Sequence, residues 1–291
     1  IMKAFLFPGQ GSQFPGMGKV FKGNPTLIEK FFKKADKILN FPLSKIMLNG
    51  SEEDLKKTNV TQSAIFLHSI ISFKLIEKSI KPDFVAGHSL GEFSALVAAK
   101  SISFEDGLKL VHHRSIAMQK ACKNNPGTMA AILGIEAKII EELCQNEDGI
   151  VVIANFNCPG QIVISGDEKS VVTVCEKLKE RGAKRTILLK VDGAFHSPLM
   201  EDAKNDFELA LNKTKINTPI YPIYQNSSAK KEINSIKIRK NLSDQLTSAV
   251  KWDQSIKKMI EDGTNEFYEI GPGNVLKGLI RKINRDSIIY K

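Results

Sequence analysis

Ser89 stands in Gly87-His88-Ser89-Leu90-Gly91, after the strand-like run at 83–86 and before small and apolar residues (Phe93, Ala95, Leu96, Ala98, Ala99). This is the setting of a nucleophile elbow. A serine on a tight strand-to-helix turn projects its hydroxyl, and the flanking glycines remove side chains that would clash. The start of the following helix favours developing negative charge. A chance GxSxG is expected in roughly one chain in ten of this composition, so the motif draws its weight from the strand-turn-helix context.

A serine hydroxyl needs a base, and the five histidines can be taken one by one. His88 adjoins the serine, but on an elbow its side chain diverges from that of Ser89. His68 falls in an apolar helix and reads as a core residue. His112 and His113 precede Arg114 in a helix expected at 108–121, where exposure or packing is the default. His196, in Gly193-Ala194-Phe195-His196-Ser197-Pro198, sits in a loop after a strand, the kind of segment that commonly carries catalytic side chains. No histidine follows it. The serine, acid, histidine order of a hydrolase triad would therefore need Asp106, Asp148, Asp167 or Asp192 as the acid, with the last third of the chain left beyond the triad.

Pro8-Gly9-Gln10-Gly11-Ser12-Gln13 follows the first expected strand. A glycine-rich loop lets backbone amides approach a ligand, but the GxxxxGK[ST] spacing of a phosphate loop is absent. An oxyanion-hole loop at the mouth of a sheet fits better, with a plain turn as the other reading.

Composition narrows the class. A net charge of +10 favours an anionic partner. The basic residues are scattered in pairs among acids (Lys33-Lys34, Lys56-Lys57, Lys230-Lys231, Lys257-Lys258), with no dense tract, zinc module or stacking-aromatic motif, so no nucleic-acid partner is expected. Cys122, Cys144, Cys158 and Cys175 form no CxxC or CxxH pair, so we expect free core thiols in a reducing compartment and no metal. The longest apolar stretch, 64–76, is broken by His68, Ser69, Ser72 and Lys74 and is too short to span a bilayer, so no membrane partner is expected. Pro8-Gly9 ends the first apolar run too soon for a signal segment. Cytoplasmic localisation follows, or an organelle matrix if a transit peptide has been removed.

The elements that must position these residues can be read in order. Residues 3–7 form a short buried strand. Asn24-Pro25 caps a helix with Leu27, Ile28, Phe31, Phe32, Ala35, Ile38 and Leu39 at helical spacing. A buried helix is expected at 61–78, a very short strand at 83–86 and a helix at 91–99. Strand 128–133, helix 136–145, strands 150–155 and 161–165, helix 168–181 and strand 186–191 then give β-α-β-β-α-β, the order of a ferredoxin-like unit. The flanks alternate helices with short apolar strands (220–224, 266–270), the order of a parallel α/β sheet. A ferredoxin-like subdomain at 124–197 is thus inserted into a larger α/β domain made of 1–123 and 198–291.

FPGQGSQ at 7–13, GHSLGE at 87–92, Arg114, the GAFHS tract ending at Ser197 and EIGPG at 269–273 stand in the order and spacing of malonyl-CoA:acyl carrier protein transacylases, which the chain resembles over nearly its whole length. The resemblance implies an α/β-hydrolase-like domain with the ferredoxin-like insertion. It implies Ser89 as nucleophile, His196 as base, the backbone amides of Gln10 and Leu90 as oxyanion hole, and a backbone carbonyl at Gln245 in place of a triad acid. It assigns Arg114 to the malonyl carboxylate, which a planar guanidinium matches through two parallel hydrogen bonds. Gln62 and Asn155 match pocket residues, although Ser63 stands where the family more often has proline. Phe195 belongs to a tract associated with malonyl over methylmalonyl selection, since a phenyl ring beside the base leaves little room for an α-methyl group.

The expected activity is transfer of malonyl from coenzyme A to the phosphopantetheine thiol of an acyl carrier protein in fatty-acid synthesis, without cofactor or metal, by a monomer. Lys277, Arg281, Lys282 and Arg285 form a candidate docking face for the acidic carrier, with a solvated helix as the plainer reading. A serine hydrolase or thioesterase on the same elbow is the alternative, and a non-catalytic basic binding module is the rival from another class.

Overall fold

A computed structural model describes residues 1–291. The strands are β1 (Met2–Phe7), β2 (Phe84–Gly87), β3 (Thr128–Leu133), β4 (Val151–Cys158), β5 (Gln161–Gly166), β6 (Arg185–Leu188), β7 (Ile223–Tyr224), β8 (Lys231–Glu232), β9 (Thr264–Glu269) and β10 (Ile288–Tyr290). They form two sheets.

The larger sheet runs β10-β9-β1-β2-β7-β8 and is parallel except for the β7–β8 pair. Parallel strands covered on both faces read as continuous apolar runs, and β1 is one. Its side chains alternate between two cores: Phe5 and Phe7 join one, Ala4 and Leu6 the other beside Trp252. The helix Thr58–Ile76 is buried around most of its circumference and packs along the helix Phe104–Asn124. In the β1–β2 register Phe7 lies opposite Gly87, so the glycine-rich loop and the elbow leave the sheet side by side. That is the carboxyl edge, where parallel α/β sheets place their ligands.

The smaller sheet runs β4-β5-β3-β6, antiparallel throughout, with the helices Ala137–Gln145 and Glu168–Glu180 packed on it around Ile140, Ile164, Val171 and Leu178. This is the ferredoxin-like order. The whole is the α/β-hydrolase-like fold with a ferredoxin-like insertion. Backbone hydrogen bonds between Val250 and both Ala154 and Phe156 fasten β4 to the larger domain, which brings Asn155 to the junction.

Two strands are shorter than the sequence predicts. The run at 220–224 keeps only Ile223 and Tyr224 in the sheet, because Pro219 and Pro222 lack the N–H that a ladder requires. The run at 186–191 ends as a strand at Leu188; Leu189 keeps one backbone hydrogen bond to the Met129 carbonyl, and Leu189, Lys190 and Val191 line a cavity.

Candidate active site

The turn carrying Ser89 is tight and strained. Ser89 has φ 52°, in the left-handed region that disfavours side chains. A Cβ on Gly87 would fall 1.8 Å from the Gly91 carbonyl carbon, so no larger residue fits there. Asn226, just beyond β7, clamps the turn: its Oδ1 accepts the Ser89 N–H at 2.7 Å and its Nδ2 donates to the Gly87 carbonyl at 2.7 Å.

His196, also at positive φ (57°), faces the serine from the loop that re-enters the larger domain. Ser89 Oγ and His196 Nε2 are 2.8 Å apart, and His196 Nδ1 lies 2.8 Å from the Gln245 backbone carbonyl. A carbonyl can only accept, so the proton sits on Nδ1 and the Nε2 lone pair meets the hydroxyl. The acid of a triad is thus absent, and its place is taken by a main-chain oxygen. Burial, aided by the charge of Arg114, lowers the imidazole to about 3, which keeps it neutral and ready to take a proton.

Arg114 reaches the same point from the helix Phe104–Asn124, only 1% exposed. Its Nη1 donates to Gln62 Oε1 at 2.8 Å, and its Nη2 donates to Ser89 Oγ and to Gln245 Oε1, both at 3.0 Å. Gln62 is held in turn by the Met118 sulfur. No carboxylate is hydrogen-bonded to the guanidinium, and its Nε has no partner. Burial lowers Arg114 to about 10, with the nearby Glu92 opposing. A buried cation without a direct anionic partner suits an anionic ligand.

A cavity of about 350 Å³ opens over these groups. Gln10, Ser89, Leu90, Arg114, Asn155, Phe195 and His196 line it, together with Met118 and Met129. The backbone N–H groups of Gln10 and Leu90 donate to no protein acceptor. Gln62 and Gln245 stand behind Arg114 rather than on the wall. A cavity of about 780 Å³ lies elsewhere, among Phe14, Phe21, His68, Tyr268 and Pro272, and contains neither Ser89 nor His196. His88 turns away from the serine, with Nε2 2.9 Å from Asn157 Oδ1. No group of three or more His, Cys, Asp or Glu side chains is placed to hold a metal ion.

Two contributors escaped the sequence reading. Asn226 sits in an unremarkable Gln225-Asn226-Ser227-Ser228 stretch, and nothing in its spacing marks it. Glu92 closes the GHSLGE motif yet is wholly buried, at 0% exposure, and that burial is its only signal.

The chain matches the acyl transferase domain family over residues 4–287. The malonyl CoA-acyl carrier protein transacylase of Bacillus subtilis is 44% identical over 97% of this chain and 90% of its own length. A crystal structure of an acyl carrier protein S-malonyltransferase from Vibrio cholerae superposes with a TM-score of 0.96 at 34% identity, covering 100% of this chain and 96% of that one. A malonyl-transacylase solved in complex with a type II PKS acyl-carrier protein gives a TM-score of 0.94 at 34% identity, covering 100% of this chain and 95% of that one. Both the likeness in sequence and the likeness in fold extend end to end, and the chain belongs to the malonyl-CoA:acyl carrier protein transacylases of the acyl transferase domain family.

Proposed function

We propose that the chain transfers malonyl from coenzyme A to the phosphopantetheine thiol of an acyl carrier protein through an ester on Ser89. The observation that carries the reading is Arg114, a buried guanidinium 3.0 Å from the nucleophile with no carboxylate hydrogen-bonded to it. An anchor that close to Oγ suits an acyl group whose carboxylate is one methylene from its carbonyl. A simple ester hydrolase on the same elbow has no use for it.

The chemistry follows from the atoms in place. Ser89 Oγ attacks the thioester carbonyl and passes its proton to His196 Nε2. The Gln245 carbonyl steadies the imidazolium through Nδ1–H. Negative charge on the carbonyl oxygen is received by the N–H groups of Gln10 and Leu90. The C–S bond breaks, and coenzyme A leaves with the proton from His196. The carrier thiol then gives its proton to the same nitrogen, attacks the ester and releases Ser89 as the hydroxyl. One site serves both thiols in turn, which makes the kinetics ping-pong. Phe195 and Asn155 shape the wall against which the malonyl methylene rests.

Docking of the carrier falls to Lys277, Arg281, Lys282 and Arg285. The helix Val275–Ile283 buries Leu276, Leu279 and Ile280 and turns Arg281 and Lys282 outward, and none of the four cations forms an ion pair within the chain. Four free, buried cysteines suit the cytoplasm.

Mass spectrometry of the intact protein tests the reading. Malonyl-CoA should add one malonyl mass, and carrier protein should then remove it with malonyl appearing on the carrier thiol. Release to water faster than to the carrier would replace transfer with hydrolysis.

A further inference from the structure

Glu92 and Asn226 take no part in the bond changes, yet between them they join the nucleophile to the base. Glu92 lies at the start of the helix Gly91–Ala98, fully buried. One carboxyl oxygen accepts the backbone N–H of Asn226 at 3.0 Å, and the other accepts the side-chain amide of Gln245. Asn226 grips the serine turn, and Gln245 grips both the serine turn and the histidine. Asn226 holds the Ser89 N–H and the Gly87 carbonyl. The Gln245 amide also donates to the Ser89 carbonyl at 3.0 Å, its Oε1 accepts from Arg114, and its main-chain carbonyl holds His196.

The helix after β2 is thereby joined to two segments more than a hundred residues further along the chain, the turn after β7 and the short 3-10 turn Gln245–Thr247. Ser89 and His196 are both held at positive φ, and such strain persists only where the surroundings over-determine it. Burying a carboxyl is unfavourable and raises Glu92, while the hydrogen bonds from Gln245 and Asn226 and the charge of Arg114 pull it back towards the ionised form in which both oxygens accept. A carboxyl kept in such a place with both oxygens engaged by donors from two other segments is a bracket.

We propose that Glu92 is a positioning residue for the transfer: by holding Asn226 and Gln245 together it sets the Ser89–His196 approach and keeps the Gln245 carbonyl on the imidazole. This rests on the reading of Ser89 and His196 as the reacting pair. A glutamine at 92 must turn its own NH2 onto one of two N–H donors, so it opens the bracket at nearly constant shape. An aspartate keeps two acceptors with shorter reach.

Single-turnover acylation by malonyl-CoA, read by intact mass alongside circular dichroism, tests this. Glu92→Gln should slow acylation at saturating malonyl-CoA by about 100-fold, since small misplacements at a reacting centre cost rates of that order. The half-saturating concentration should move by less than about threefold, because Arg114 keeps Gln62 and the carboxylate it binds. Glu92→Asp should recover about tenfold of the loss. A Glu92→Gln rate within about threefold of wild type, or a loss carried by half-saturation, overturns the proposal. If Glu92→Gln is not recovered folded, Asn226→Ala decides, since it keeps the N–H that Glu92 holds and removes only the clamp on the elbow. A rate loss above about tenfold at unchanged half-saturation supports the bracket, and an unaffected rate overturns it. A wild-type protein that takes up no malonyl overturns the transfer reading and the positioning role with it. Normal wild-type acylation beside an unaffected Glu92→Gln overturns the positioning role alone.

Discussion

Arg114 Nη2 donates to the hydroxyl of Ser89 at 3.0 Å, so the cation and the nucleophile meet on the wall of one cavity. In the transfer proposed above, a malonyl group entering the cavity meets both at once, its carboxylate on the guanidinium and its carbonyl over Oγ. On that proposal the carboxylate takes over donors that now serve Ser89 and Gln245 and frees the hydroxyl to transfer its proton to His196, which would couple acyl selection to activation of the nucleophile through one side chain.

Removing that side chain separates malonyl from acetyl. Losing one member of a buried charged pair costs about 2–5 kcal/mol. That is roughly 30- to several-thousand-fold in the specificity constant, and Arg114→Ala should lose malonyl transfer by that factor. Acetyl-CoA has no carboxylate to leave unpaired, so its transfer should fall little. Equal losses with the two substrates would make the arginine structural.

Ser89→Ala should abolish the malonyl adduct and lower turnover by at least about 10³-fold, because both half-reactions pass through the ester. The variant keeps Arg114 and the cavity, so malonyl-CoA should still bind it in calorimetry. An adduct of full size on the alanine variant would place the nucleophile elsewhere.

The acid limb of the rate follows from His196. The base must be neutral, and burial has moved its pKa from 6.5 down to about 3. The neutral form is therefore complete through the physiological range and is lost only as pH falls through that low value. kcat/KM for malonyl-CoA, which reports the free enzyme, should be flat from about pH 5.5 to 7.5 instead of rising through 6.5. Stability moves with the same sign: the unfolded chain binds the extra proton, so His196 contributes stability above 6.5 that is lost towards the folded value. A kcat/KM inflection near 6.5 that disappears in His196→Ala would show an imidazole open to water.

How much of this was legible in the chain varies with the physics behind each residue. Ser89 announces itself because an elbow needs glycines on both sides, and His196 because the other histidines fall in helices or beside the serine. The central sheet was readable from β1 and β2, whose burial on both faces leaves only apolar side chains. Gln62 carried no mark of its task, which is to hold Arg114 from behind. Asn226 and Glu92 were opaque for a deeper reason. Their roles consist of hydrogen bonds across more than a hundred residues of chain, and periodicity and local propensity say nothing about such partners. The strand at 220–224 is shorter than its apolar run because Pro219 and Pro222 have no N–H to give the ladder.

Gly87→Ala tests the elbow itself. The new Cβ would lie 1.8 Å from the Gly91 carbonyl carbon, and the atoms nearest to it all belong to the Gly91–Glu92 peptide, so no flexible side chain can yield. The substitution should cost more than about 3 kcal/mol or prevent folding, an effect in the range reserved for overpacking and backbone conflict. Thermal unfolding measures it, and a variant of wild-type stability would mean that the turn opens readily.

The docking face is tested by charge reversal. Lys277 and Arg281 are one helical turn apart, and neither forms an ion pair within the chain. Exposed charges act on encounter more than on the bound complex, and they are screened beyond about 10 Å at 0.1 M salt. Lys277→Glu with Arg281→Glu should therefore slow transfer to the carrier steeply at low salt and only modestly at high salt. Acylation of Ser89 by malonyl-CoA should stay close to wild type, because the first half-reaction needs no carrier. Stopped-flow rates for the two half-reactions across a salt series separate these effects. If both half-reactions slow together, or if the carrier rate ignores salt, the four cations form a solvated helix end and the carrier docks elsewhere.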